Sequence, residues 1–206
     1  MNCLTCSSLF LETSSWQRLF FMRQAEVICS KCKSKFEKAK DIEHETQWIG
    51  TLYEGTLDSL TSIYDYNEWM KQIYRQYKFQ HDIELAKIFA QDLRHLQKVQ
   101  DLIVPIPLHP EMLIERTFSQ VDQLLLAANV QFKHVLSKMR NSSQVKKSKN
   151  ERMTSEINFE VCTNVQNQSI LLVDDLYTTG TTLRHAAFVL KQAGAQKVNG
   201  ITLIRA

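Results

Sequence analysis

The sequence predicts an α/β fold: a parallel sheet flanked by helices, with a small metal-binding unit at the N-terminus. Three observations predict it. Apolar strand-like runs alternate with helical patterns from residue 57 to the end, the alternation that builds parallel sheets. One run, Ile170-Leu171-Leu172-Val173, meets Asp174-Asp175 and a hydroxyl-rich turn that opens a helix. Four cysteines near the start fall into two Cys-x-x-Cys pairs.

The cysteine unit comes first in the chain. Cys3-Leu4-Thr5-Cys6 and Cys29-Ser30-Lys31-Cys32 have the spacing of a four-thiolate structural zinc site, in which two short knuckles bring soft ligands into a tetrahedron. Disulfides are the rival reading and need an oxidising compartment. No secretory signal supports them, because Leu19-Phe20-Phe21-Met22 is too short for an apolar core and is flanked by Arg18 and Arg23. A redox pair is the other rival, and it rarely comes duplicated without a strand–helix context. Residues 1–45 are therefore expected to form the zinc-knuckle domain and its polar connector, and residues 46–206 the sheet domain. Cys162 stands apart and reads as a strand thiol.

Along the second unit, Leu60, Ile63, Tyr64 and Tyr66 suit strand structure over residues 57–66. From Trp69 to about Leu96 the apolar spacing is helical, through Met70, Ile73, Tyr74, Tyr77, Leu85, Ile88, Phe89 and Leu93. Leu102-Ile103-Val104-Pro105-Ile106-Pro107 is a short buried strand stopped by prolines. Leu113, Val121, Leu124, Leu125 and Ala128 outline the next helix, and Val135-Leu136 a strand. The Ile170–Val173 run is a buried strand expected to end at the acids. Leu183, Ala186, Ala187, Leu190 and Ala193 form a helix that Gly194 ends. A last strand, residues 198–204, closes the sheet.

Open α/β sheets bind ligands at the carboxyl ends of their strands. There, free N–H groups at a helix start favour phosphate, Thr hydroxyls add donors, and neighbouring acids can accept from sugar hydroxyls. Asp residues that merely cap the helix are the plainer alternative. The stretch Asp174-Asp175-Leu176-Tyr177-Thr178-Thr179-Gly180-Thr181-Thr182 resembles the PRPP-binding signature of type I phosphoribosyltransferases. The resemblance implies that Asp174 and Asp175 hold the ribose 2- and 3-hydroxyls. It also implies that the turn from Thr178 to Thr182 wraps the 5-phosphate, within a binding stretch that includes Leu176 and Tyr177.

Breaking a C1–pyrophosphate bond leaves negative charge for magnesium and cationic or backbone donors to stabilise. Leu108 and His109, at the exit of the proline-ended strand, are candidates for the pyrophosphate side. So is Arg116, expected at the start of the following helical region. An ordinary strand exit with a surface Arg is the alternative. Lys138, Arg140, Gln144, Lys146, Lys147, Lys149 and Arg152 lie in a polar stretch that reads either as a mobile substrate-covering loop or as a solvated basic loop. Residues 64–79 interleave aromatics with cations, which suits either base stacking or an inward-facing helix, and packing is the favoured reading.

Taken in order, the motifs resemble the ComF-type competence proteins, in which a four-Cys zinc finger precedes a type I phosphoribosyltransferase domain. The further landmarks are Tyr64-x-Tyr66, Lys78, the Pro105-x-Pro107 exit, and Arg140 with Gln144. Arg116-Thr117-Phe118-Ser119-Gln120 stands where the family carries Arg-Gly-Phe-Asn-Gln. The resemblance implies a bacterial cytoplasmic protein of natural transformation and DNA uptake, partnered by a DNA-uptake helicase and binding magnesium with PRPP. A transferase acting on a nucleobase, a PRPP sensor and a helicase or single-stranded DNA adaptor all remain compatible with the residues. With 25 basic against 22 acidic residues the net charge is only +3, so any binding to single-stranded DNA should be weak and salt-dependent. No apolar run approaches membrane-spanning length, so no membrane insertion is expected.

Overall fold

The computed structural model describes residues 1–11, 26–40, 46–98, 102–138 and 159–206. Its strands are β1 (Ser59–Asp65), β2 (Leu102–Pro105), β3 (Leu136–Lys138), β4 (Phe159–Val161), β5 (Ser169–Tyr177) and β6 (Lys197–Arg205). Its α-helices are α1 (Ser30–Lys33), α2 (Glu68–Phe79), α3 (Ala86–Leu93), α4 (Pro110–Arg116), α5 (Gln120–Ala127) and α6 (Thr181–Gln192). A four-stranded sheet runs β1-β6-β5-β2 with every pairing parallel, while β3 and β4 pair antiparallel apart from it.

Both faces of the sheet are covered, which is why its central strand reads as an unbroken apolar run. Leu171 and Val173 pack with residues of α2, α3 and α5; Ile170 and Leu172 pack with α6, β3 and β4. Ile170 and Leu172 are fully buried, each burial contributing about 1.5–3 kcal/mol.

Several elements depart from their sequence expectation. Strand β5 does not end at the acids: its pairing to β6 continues to Tyr177. The side-to-side alternation nevertheless breaks there, since Leu176 packs with the α2 side and Tyr177 with the α6 side. Strand β6 does not close the sheet but lies inside it, between β1 and β5. The helical stretch from Trp69 is interrupted after α2, where His81 takes φ 59°. The helix outlined by Leu113 to Ala128 is two, α4 and α5, separated at Thr117 with φ 64°. Arg116 therefore ends a helix rather than starting one. Cys162 lies just past β4 and is exposed.

The connector also contributes to the sheet. Ala39 N–H donates to Ile63 O (3.0 Å) and Asp65 N–H to Glu37 O (3.0 Å), so residues 37–39 line the outer edge of β1. That satisfies polar groups an edge strand would otherwise expose. Phe36 packs among Tyr64, Trp69 and Phe89, while Lys38 reaches Asp92 (2.5 Å), which also accepts from the Tyr64 hydroxyl (2.7 Å).

Candidate functional site

All four parallel strands end on one side, and the acid pair lies there near the end of β5. Val173 and Pro105 are partners in the β5–β2 pairing, and Ile106 N–H donates to Val173 O (2.9 Å). The chain leaving β2 toward Leu108 and His109 therefore starts beside Val173, the residue before the acids. Thr178 and Thr179 form the turn, and α6 opens at Thr181 behind Gly180. Gly180 is required twice over. Its φ of 73° favours glycine, and a Cβ there would stand 2.8 Å from the Tyr177 ring. The turn is braced by the paired Thr179 and Thr181 hydroxyls (2.8 Å) and by Gln47, whose amide donates to Thr179 O (3.3 Å).

Hydrogen bonds hold both acids, one of them between the two side chains. The N–H of Asp175 donates to Asp174 Oδ1 (2.8 Å). From α2, the Tyr74 hydroxyl donates to Asp175 Oδ2 (2.7 Å), and Lys78 Nζ donates to that hydroxyl (2.9 Å) while lying 3.8 Å from Asp175 Oδ2. Burial and the neighbouring Asp175 charge push the Asp174 carboxyl well above the usual carboxylate range, with Lys138 partly offsetting them. A sugar hydroxyl would add a donor to a carboxyl whose charged form the surroundings disfavour.

Cations gather around the pair. Burial lowers the proton affinity of Lys78 and of Lys138, and the Arg116 charge lowers both further. Burial, reinforced by the Asp175 charge, pushes the Tyr74 hydroxyl up. Arg116 donates through Nη1 to Gln120 Oε1 (3.1 Å), while its buried Nε has no partner among the described residues. Lys78 is engaged with Tyr74 and Asp175, while Lys138 and Arg116 add positive charge suited to an anionic ligand carrying hydroxyls. His109 also caps a helix, because its Nδ1 accepts from Glu111 N–H (3.3 Å) at the start of α4. Arg140, Gln144 and Arg152, with the lysines between them, lie outside the described residues.

The second cluster is Cys3, Cys6, Cys29 and Cys32. Their sulfurs all lie within 4.8 Å of one another, and none is in a disulfide. Zinc–sulfur bonds of about 2.3 Å in a tetrahedron would place sulfurs about 3.8 Å apart; Cys6 and Cys29 are at 3.9 Å. Cys29 N–H donates to Cys3 Sγ (3.3 Å), and the Thr5 and Ser8 hydroxyls lie beside Cys3 and Cys6. Unaided, such a cluster is in conflict: burial pushes the Cys32 thiol up to about 12. Cys3 is held down to about 5, where hydrogen bonds from Thr5 and nearby backbone outweigh its burial. A divalent cation removes that conflict, so the donor set fits structural zinc.

The phosphoribosyl transferase domain family matches residues 59–206, from the first residue of β1 to the last of the chain. Competence protein ComFC of Bacillus subtilis (strain 168) is 34% identical over 229 aligned positions, covering 98% of this chain and 94% of that protein. Competence protein ComFC of Streptococcus pneumoniae (strain R6) is 32% identical over 223 positions, covering 100% of both. The chain belongs to the ComFC family of competence proteins. Among solved structures, a hypoxanthine phosphoribosyltransferase from Staphylococcus aureus covers 61% of this chain and 64% of its own. It overlays with a TM-score of 0.39 at 18% identity, a likeness too loose to carry weight.

In this ComFC-family chain the acids and the turn marked by the sequence lie together, and Tyr74, which the sequence did not mark, donates to Asp175. Tyr74 and Lys78 stand four residues apart on one helix, a spacing that puts them on one face. Nothing in sequence tied that face to Asp175. Packing does prevail in the aromatic segment: Tyr74 and Tyr77 are buried, whereas Tyr66 and Phe79 are exposed. The Thr117 departure is tolerated in the backbone, which adopts the left-handed conformation that suits the family's glycine. Ser119 caps α5 by accepting from Asp122 N–H (3.3 Å), as an Asn at that position could.

Proposed function

We propose that this chain binds PRPP, with magnesium, at Asp174, Asp175 and the Thr178–Thr182 turn. We further propose that it serves DNA uptake beside a helicase that handles imported single strands. The observation that carries the ligand reading is the acid pair near the end of β5, next to a glycine-led helix start. Asp174 and Asp175 would accept from adjacent ribose hydroxyls. The first N–H groups of α6 and the Thr hydroxyls would receive the 5-phosphate. Leu108, His109 and Arg116, with Arg140 and Gln144, are assigned to the pyrophosphate side. When bound, magnesium would neutralise pyrophosphate charge. Residues 1–45, with zinc on the four cysteines, would form the docking unit, and residues 46–206 the ligand domain. The competence role rests on full-length similarity to the two ComFC proteins.

A catalytic reading is favoured by one feature, the Lys138 charge close to Asp174 with the Arg116 charge close to Lys138, where they could stabilise a departing pyrophosphate. Calorimetric titration with PRPP and magnesium tests binding, and pyrophosphate release across nucleobases separates a transferase from a sensor. Unchanged PRPP binding by an Asp174→Ala, Asp175→Ala double variant would refute the site. Helicase capture by the intact chain, lost in Cys29→Ser while PRPP binding persists, is the expected signature of the adaptor role. Normal transformation frequency with both variants folded and expressed would refute it.

A further inference from the structure

We propose that Tyr74 and Lys78 are positioning residues for the ribose site: Lys78 holds the Tyr74 hydroxyl, and that hydroxyl fixes one oxygen of Asp175 and so the direction in which the carboxyl meets a sugar hydroxyl. The inference rests on the ligand reading above and adds two side chains to it. The geometry is a relay. Lys78 Nζ donates at 2.9 Å to the Tyr74 hydroxyl, which donates at 2.7 Å to Asp175 Oδ2. Tyr74 is 5% exposed, so its polar end is committed to this contact rather than to water. The Lys78 ammonium adds its charge at 3.8 Å from the same oxygen, and hydrogen bonds to charged groups are the stronger kind.

A carboxylate near a strand end can turn about its side-chain bonds, and a freely turning acceptor meets a ligand at an entropic cost. Tyr74 removes that freedom. It also explains why a buried tyrosine, otherwise a plain core residue, keeps its hydroxyl on the face that meets β5. The helix that presents both residues is itself anchored. Its cap, Asn67, accepts from Met70 N–H (2.8 Å) and donates to Lys35 O (3.0 Å) and Glu37 Oε1 (2.9 Å). Trp69 packs against the cysteine cluster and Phe36. The position of Asp175 is thus traceable through α2 to the chain that follows the last cysteine of the cluster.

Neither residue touches the Thr178–Gly180 turn in the contacts above, so the relay should govern sugar recognition and leave phosphate recognition alone. The test measures PRPP affinity with magnesium by calorimetry, and inorganic phosphate binding by amide shifts of the turn, in the full-length zinc-loaded chain. The variants are Tyr74→Phe, Lys78→Met and Lys78→Arg. Tyr74→Phe and Lys78→Met should each weaken PRPP binding about tenfold, leave inorganic phosphate binding unchanged, and keep the wild-type melting temperature. Lys78→Arg should recover most of the loss. Wild-type PRPP affinity in both Tyr74→Phe and Lys78→Met overturns the inference, and so do equal losses for PRPP and inorganic phosphate. Should Tyr74→Phe fold poorly, Lys78→Met decides by the same readings. A wild-type chain that binds no PRPP overturns the ligand reading itself, and this inference with it.

Discussion

Replacing Gly180 by Ala tests whether the turn before α6 is shaped by glycine's backbone freedom alone or also by the ring beneath it. Gly180 has φ 73°, and an added Cβ would meet Tyr177 Cε2 at 2.8 Å and its hydroxyl oxygen at 3.1 Å. The left-handed backbone costs an alanine about 1–2 kcal/mol. Pushing aside a ring that is 5% exposed costs roughly 1–3 kcal/mol more, as overpacking does. The lower entropy of the unfolded alanine chain offsets about 0.4–1 kcal/mol. The net expectation is a destabilisation of about 2–3 kcal/mol. Gly55 supplies the control, because its φ is 68° but nothing lies within 4 Å of its added Cβ. Gly55→Ala should cost only about 1 kcal/mol. Urea unfolding of the zinc-loaded chain, read by the midpoint at constant slope, gives both values. Equal losses at the two positions would show that the Tyr177 ring yields freely and that the steric reasoning is wrong. Gly180→Ala should also weaken phosphate binding, since Thr179 and Thr181 flank it.

Three further outcomes are expected. Elemental analysis of metal-replete protein should give one zinc per chain; chelation should loosen residues 1–40 first, seen as faster amide exchange there, and a zinc content below about half would remove the assignment. Thr117→Gly relieves a β-branched residue at φ 64° but gives up a local hydroxyl bond to Arg116 O and some unfolded-state restraint, so it should be neutral or stabilise by up to about 1 kcal/mol; a clear loss in chemical denaturation would show that the Thr117 hydroxyl matters more than the backbone. Burial lowers His185 to about 4, so unfolded chains bind its proton first as pH falls. The stability it allows is complete above the unfolded value and declines between about pH 6.5 and 4. His185→Phe should flatten that part of the stability–pH curve, and an unchanged slope would contradict the assignment.

The Thr178–Thr182 turn was legible because each of its residues answers to a local rule. Asp174 and Asp175 follow an apolar run, Gly180 supplies the positive φ, and the apolar spacing after Thr181 is helical. The cysteines were legible for a similar reason, since metal geometry fixes the spacing within each pair. Local breaks without glycine were not. Thr117 and His81 interrupt helical patterns at positive φ, and nothing in their side chains announces it.

Strand order and long-range partners also lay beyond the sequence. A last strand reads the same at an edge or inside a sheet, yet β6 lies between β1 and β5 and gives Asp174 its neighbour Thr202. The sequence by itself determined roughly where strand and helix lie and which short motifs can hold zinc or a phosphate, because those depend on spacing within one element. Only the tertiary structure decided that Tyr74 and Lys78 meet Asp175 about a hundred residues away, and that the chain after Cys32 seals β1 and anchors α2. Such contacts are set by how helices seat on a twisted sheet, and a helix face carries no mark of the strand it will cover.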